Sequence, residues 1–264
     1  MTFRGRALRA LAVAVLAFGA TGCPPPAEVG ALLLDEGFPG TALARSRWGT
    51  CHWWGPDGCT ILTNDELEWY RAEQVEVRGG VLRLTARPEV TVAEGRTFPY
   101  LSGMVSSGRP GDEPTDRPRF AFTYGRVEAR FRVPRGTGLW PAIWMLPVTN
   151  RSLPEIDLVE VYGHAPDRPS MTFHDSAGGR KRREVQTADL SVGWHTVVLD
   201  WSRDRLTWSI DGVDRFSVTG AQVPREPMYL VANLAVGGPA GAPTAATRFP
   251  ATFLVDSVRV WAAP

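Results

Sequence analysis

The chain lacks what would mark it as a membrane, nucleic-acid-binding or helical protein. Beyond residue 23, no stretch approaches the roughly 20 apolar residues of a membrane-spanning helix. Lys and Arg total 29 against 28 Asp and Glu, a net charge of +1. That balance offers no basic excess for a polyanion, and no nucleic-acid partner is expected. Convincing amphipathic helical periodicity is missing. From residue 31 onward there is no internal repeat, charge block or low-complexity segment. With 264 residues, the chain is long enough to bury a sizeable core.

What is present begins with an export layout. Residues 1–23, MTFRGRALRALAVAVLAFGATGC, carry Arg4, Arg6 and Arg9, then an apolar run from Ala10 to Ala20, then small residues. Ala20-Thr21-Gly22-Cys23 resembles a bacterial lipobox with Ala20 in place of the usual leucine, so Cys23 is expected to take lipid. PPPAEVG, residues 24–30, is a proline-rich spacer, and 31–264 reads as a single domain. The expected location is outside the cell membrane, lipid-anchored at the surface or otherwise secreted. The expected state is monomeric, with membrane contact only through the anchor. Cys51 and Cys59 flank a Gly-Pro-Asp-Gly turn and most simply form a local disulfide. The competing use, a metal site with His52, lacks a second pair of ligands.

Within the domain, short runs of strand chemistry recur between turn signals: QVEVRGGVLRLTAR, YGRVEARFRV, WHTVVLDWS, LTWSIDGVDRFSV, PMYLVANLAV and FLVDSVRVW. Several alternate apolar with polar residues, and the Gly-Gly and Asp-Gly pairs are hairpin turns. This predicts an all-β sandwich or barrel of antiparallel strands.

One strand is unexpectedly acidic. PEIDLVEVYG, residues 154–163, holds Glu155, Asp157 and Glu160. Alternation sends Glu155 and Asp157 to one face, but Glu160 has the wrong parity. A β-bulge around Leu158-Val159 would bring all three together. Three carboxylates on one face repel, which is costly in a structural strand and useful in a reaction. Retaining hydrolysis of a glycosidic bond needs a nucleophilic carboxylate and a proton-donating carboxylic acid about 5–5.5 Å apart. A third negative charge between them would keep the donor protonated near neutral pH.

Glu155-Ile156-Asp157-Leu158-Val159-Glu160 resembles the bulged E-x-D-x-x-E signature of laminarinase-like glycoside hydrolase family 16. DEGFPG, NDELEWY, YLSGMVSSG, YGRVEARFRVPRGTGLWPAIWML, TFHD, GWHTVVLDWSRDRLTWSIDG, PMYLVANLAVGG and FLVDSVRVW resemble that family's blocks in its order. The resemblance implies a β-jelly-roll of two antiparallel sheets with a concave glycan cleft. It implies a polysaccharide partner and retaining endo-cleavage of β-glucans, β-1,3 or mixed β-1,3/1,4. Galactan hydrolysis or transglycosylation are neighbouring activities, and a glucan-binding protein without turnover is the rival from another class. Glu155 would be nucleophile, Asp157 its assistant and Glu160 the acid/base, with no cofactor required for catalysis.

By the same resemblance, Trp140, Trp144, His174, Asn233, Asn64 and Glu66 fall in cleft-lining blocks, and Glu36 and Asp256 in blocks that hold a structural calcium. Trp53 and Trp54, beside the proposed disulfide, are placed to form a rim platform but have no counterpart in the family, and core or loop packing is the expected role. Leu153, Pro154 and Met104 depart from the family pattern, which leaves the preferred linkage open. Loop 106–119 has no counterpart that explains its charge and proline.

Overall fold

Residues that alternate in polarity in the sequence alternate in burial in the fold. His195–Trp201 buries every second side chain, and Gly125–Arg132 does so through Val127, Ala129 and Phe131. Such strands have one face for a core and one for solvent, and two stacked sheets satisfy both. The computed structural model describes residues 1, 29–55, 57–113, 115–149 and 152–264. Residues 2–23 of the expected export segment, Cys23 among them, and residues 24–28 of the spacer lie outside the described residues. No helix among the described residues is long and apolar enough to cross a membrane.

The strands form a two-sheet jelly-roll. In the ten-stranded sheet the main path runs Val213–Thr219, Arg205–Ile210, His195–Trp201, Gly125–Arg132, Ala251–Trp261, Leu82–Ala93, Arg96–Ser102, Glu68–Tyr70. The six-stranded sheet runs Arg180–Glu184, Ser170–His174, Glu155–Glu160, Leu139–Pro147, Met228–Val236, Met104–Ser106. Among the described residues pairing is antiparallel with one exception: Glu68–Tyr70 runs parallel to Arg96–Ser102. Between those two strands the chain reverses through Val75–Val77 and Leu82–Ala93, which restores its direction.

The expected hairpins are present. Gly79 and Gly80 have φ of 61° and 73°, and Asp211 and Gly212 have 52° and 75°. Positive φ at both central positions suits the right-handed twist of the flanking strands. Between the sheets lie Phe131, Phe173, Trp201, Trp208, Phe253, Leu82 and Leu84, all fully buried. Each such side chain contributes roughly 1.5–3 kcal/mol by burial. Met228–Val236 departs from alternation, being buried along its whole length. Its second face is the cleft floor, covered by Tyr70, Trp144 and the loop around Cys59.

Candidate active site

The bulge lies where the parity of the acids requires it. Ile143 pairs with Val159 and Trp144 with Asp157, so Leu158 has no partner on Leu139–Pro147. On the other side Ser170 pairs with Glu160 and Thr172 with Asp157, three residues against four, so the same one extra residue is inserted. Leu158 and Val159 both enter the core, and Glu160 swings to the face of Glu155 and Asp157. The three acids line one cleft of about 680 Å³. His174 stands over the first two, its Nε2 3.4 Å from Glu155 Oε1 and 3.6 Å from Asp157 Oδ2. Thr172 Oγ1 donates to Glu160 Oε2 at 2.9 Å, with Ser170 Oγ 3.5 Å from the same oxygen.

Crowding sets the protonation of the trio. Burial and then the charge of Asp157 push the Glu160 carboxyl up to about 7. Burial raises Asp157 too, while the hydrogen bond and charge of His174 pull it back toward the ionised form. Burial, then Asp157 and Glu160, push Glu155 well above the usual carboxylate range. A 24% exposed side chain tempers that rise, because water reaches the Glu155 carboxylate. An acid held near 7 suits the proton-donating role at neutral pH.

The remaining cleft residues form a connected floor. Trp140 and Trp144 share the cleft face of Leu139–Pro147. Trp144 Nε1 donates to Asn233 Oδ1 at 2.8 Å, and Asn233 Nδ2 donates to Tyr70 Oη at 2.9 Å. Glu66 accepts from Asn64 Nδ2 at 3.1 Å and from the Ile61 N–H at 3.1 Å. Burial, and then the charge of Glu66, raises Glu68 well above the usual carboxylate range, while the Val236 N–H donates to its Oε2 at 2.7 Å. All six expected cleft residues therefore line the same trough.

Trp54 joins them, so the rim platform describes it better than the expected core or loop packing. Cys51 and Cys59 are joined by a disulfide, and the loop they close stacks His52 on Trp54, ring centres 4.2 Å apart. His52 also meets Trp144 edge-on at 5.6 Å, and burial drops its pKa to about 3, so the ring is neutral. Trp53 does pack in the loop, donating through Nε1 to Tyr229 Oη at 3.1 Å under the guanidinium of Arg109. That contact gives loop 106–119 a role: Arg109 also holds the Val148 carbonyl, and Arg119 ties the carbonyls of Arg45, Gly108 and Arg109.

Glu36 and Asp256 do not assemble into a cation site. Glu36 accepts from the Phe38 N–H and Trp48 Nε1, with Arg47 3.5 Å away, and Asp256 pairs with Arg130 at 2.9 Å. A guanidinium at each carboxylate repels a cation, so the residues present do not fit calcium. A second hollow, about 750 Å³ and lined by Glu73, Glu76 and Arg87, brings no three acids or histidines together among the described residues.

Comparison with known proteins decides the family. Residues 71–252 match glycosyl hydrolases family 16. The chain belongs to that family. It is 32% identical over 247 residues to the endo-1,3-1,4-beta-glycanase EglC of Rhizobium meliloti, covering 87% of this chain and 49% of that protein. It is 31% identical over 238 residues to a beta-glucanase of Rhodothermus marinus, covering 80% and 76%. The laminarinase catalytic domain of Thermotoga maritima superposes with TM-score 0.78 at 27% identity, covering 90% of this chain and all of that domain. The chain spans about half the length of EglC and less of the Niallia circulans glucan endo-1,3-beta-glucosidase A1. In this family 16 chain, the acids, His174 and Asn233 fall inside the matched segment; Asn64, Glu66, Tyr70 and the disulfide loop precede it.

Proposed function

We propose that the chain is an endo-acting, retaining hydrolase of β-1,3 or mixed β-1,3/1,4 glucans. The observation that carries this reading is the bulge that sets Glu155, Asp157 and Glu160 side by side in an aromatic-lined cleft. Glu155 attacks the anomeric carbon while Glu160 gives its proton to the departing glycosidic oxygen, leaving a sugar esterified to Glu155. Glu160, now ionised, takes a proton from water, which attacks the same carbon and frees Glu155. Burial, and then the charge of Asp157, favours the proton on Glu160 before the first step. Trp140 and Trp144 cover sugar faces, and Asn233 and Glu66 offer hydrogen-bonding groups to hydroxyls. The glucan substrate and endo-cleavage follow the printed activities of the relatives. A binding role without turnover would be served by a cleft missing one acid, and all three are here.

The protein works outside the cell as a monomer, tethered through lipid on Cys23. Export and anchoring rest on the basic, apolar and small-residue order of residues 1–23. Cys23→Ser is expected to release the protein into the medium, and continued membrane association would count against the anchor. The activity is tested by incubating the protein with laminarin, lichenan, xyloglucan, agarose and carrageenan. Reducing ends should appear with laminarin or lichenan, and NMR should show the β-anomer formed first. Cleavage of agarose or carrageenan alone, or an α-anomer formed first, would overturn it.

A further inference from the structure

A net charge near zero conceals a local excess. Strand Arg180–Glu184 reads RKRRE, and all five residues are exposed. It is the edge of the cleft sheet, paired with Ser170–His174. Register fixes what each cation faces, since residues directly opposite across an antiparallel pair share a face. Arg180 lies opposite His174 and Arg182 opposite Thr172. His174 contacts Glu155 and Asp157, and Thr172 binds Glu160, so both arginines stand on the cleft side, two strands from the acids. Both line the cleft. Lys181 and Arg183, opposite Phe173 and Met171, take the other face.

The two cleft arginines are engaged differently. Arg182 Nη2 donates to Ser170 Oγ at 3.0 Å, and its guanidinium lies 5.7 Å from the centre of the Tyr162 ring. Arg180 has no such contact, and among the described residues no carboxylate forms an ion pair with it. Asp175, the one acid of the connecting hairpin, accepts from the N–H groups of Ala177 and Gly179. Cations on an edge strand can serve merely to repel other edges. Lys181 and Arg183 would do that without placing charge over the cleft. An unpaired guanidinium on the wall of a glycan cleft is a receptor for an oxyanion, whose two oxygens match its planar fork.

We propose that the cleft is built for a β-glucan carrying anionic substituents, carboxylate or sulfate, with Arg180 receiving the charged group on the side of strand Arg180–Glu184. The inference rests on the glucanase reading above. It names a substrate class within that reading: an acidic glucan binds through the same floor as a neutral one and gains a contact the neutral one lacks.

The test compares kcat/KM on laminarin, on sparsely carboxymethylated laminarin and on sparsely sulfated laminarin. Each is measured at low salt and in about 0.3 M salt, where exposed charge interactions are largely screened. At low salt one derivative should be preferred over the neutral polymer by about tenfold, the scale of a charge-assisted hydrogen bond. Salt should abolish the preference. Preference for the carboxymethyl form identifies a carboxylate as the natural group, and preference for the sulfated form identifies a sulfate; either supports the inference. Arg180→Gln should bring the ratio of acidic to neutral kcat/KM to about one. Lys181→Gln and Arg183→Gln, which remove the same charge from the opposite face, should leave the ratio as in the wild type. Cleavage of the neutral polymer without any gain on its anionic forms would overturn this inference alone, as would equal loss of preference in all three variants. Failure to cleave any of the polymers would overturn the glucanase reading and this inference with it.

Discussion

The indole N–H of Trp208, on the ten-stranded sheet, donates to the main-chain carbonyl of Asp157, 2.9 Å away across the core. A bulge takes backbone groups out of the ladder, and a buried carbonyl without a donor costs about 1–3 kcal/mol. Trp208 meets that need and ties the bend beneath the three cleft acids to the opposite sheet. Trp208→Phe keeps the aromatic body and removes the donor. It is expected to lower kcat about tenfold with KM within twofold, and to shift the alkaline limb of the pH profile as Glu160 loses its fixed distance from Asp157. Steady-state kinetics across pH, beside a melting curve, check this. A lower melting temperature with an unchanged pH profile would make Trp208 a packing residue only.

Glu160 carries a stability cost that depends on pH. Its folded pKa, about 7, lies above the ordinary 4.5. The native state therefore holds the proton more tightly than the unfolded chain. Its contribution to stability is full below about 4.5 and is lost as pH rises through about 7. Glu160→Gln should therefore melt higher than the wild type at pH 8, by several degrees for a gain of about 1–3 kcal/mol. The gap should close by pH 4. Activity should be lost in the variant at every pH. Equal melting curves at pH 8 would show that the site does not hold Glu160 protonated.

The Cys51–Cys59 disulfide closes a short loop that carries Trp54 to the cleft. Removing it in a Cys51→Ala, Cys59→Ala variant should cost about 2–3 kcal/mol of stability. With Trp54 and His52 loosened from Trp144, KM for laminarin should rise several-fold. The kcat should change much less, because the acids sit on the Glu155–Glu160 strand. A melting curve and a Michaelis series with and without reductant separate the two effects. An unchanged KM would remove Trp54 from glucan binding.

Strand alternation and turn glycines made the sandwich legible in the sequence, and the parity of Glu160 made the bulge legible. Carboxylates gathered for chemistry break a pattern that packing alone would keep. Glu66, Glu68 and Tyr70 also share strand parity, and Thr172 shares it with His174, so these neighbours could have been read from the spacing. Other features have no local signature. Trp54 reaches Trp144 through His52, and Trp208 reaches Asp157 from another sheet, contacts set by tertiary packing. The parallel Glu68–Tyr70 pair depends on the path of the intervening chain. Glu36 and Asp256 read as calcium ligands until Arg47 and Arg130 are seen beside them. Summing charge over the chain hid the cations of Arg180–Glu184, because face and position decide what a charge does.

The central claim is that the bulge gives Glu155 and Glu160 separate chemical roles on one face, and azide rescue reads those roles directly. With an activated aryl β-glucoside oligomer, Glu155→Ala in azide should yield the α-glycosyl azide, because azide enters through the space the nucleophile left. Glu160→Ala in azide should yield the β-glycosyl azide, formed by attack on the sugar ester of Glu155. The anomeric configuration by NMR decides between them. Wild-type turnover in Glu155→Ala, or the same azide anomer from both variants, would contradict the account.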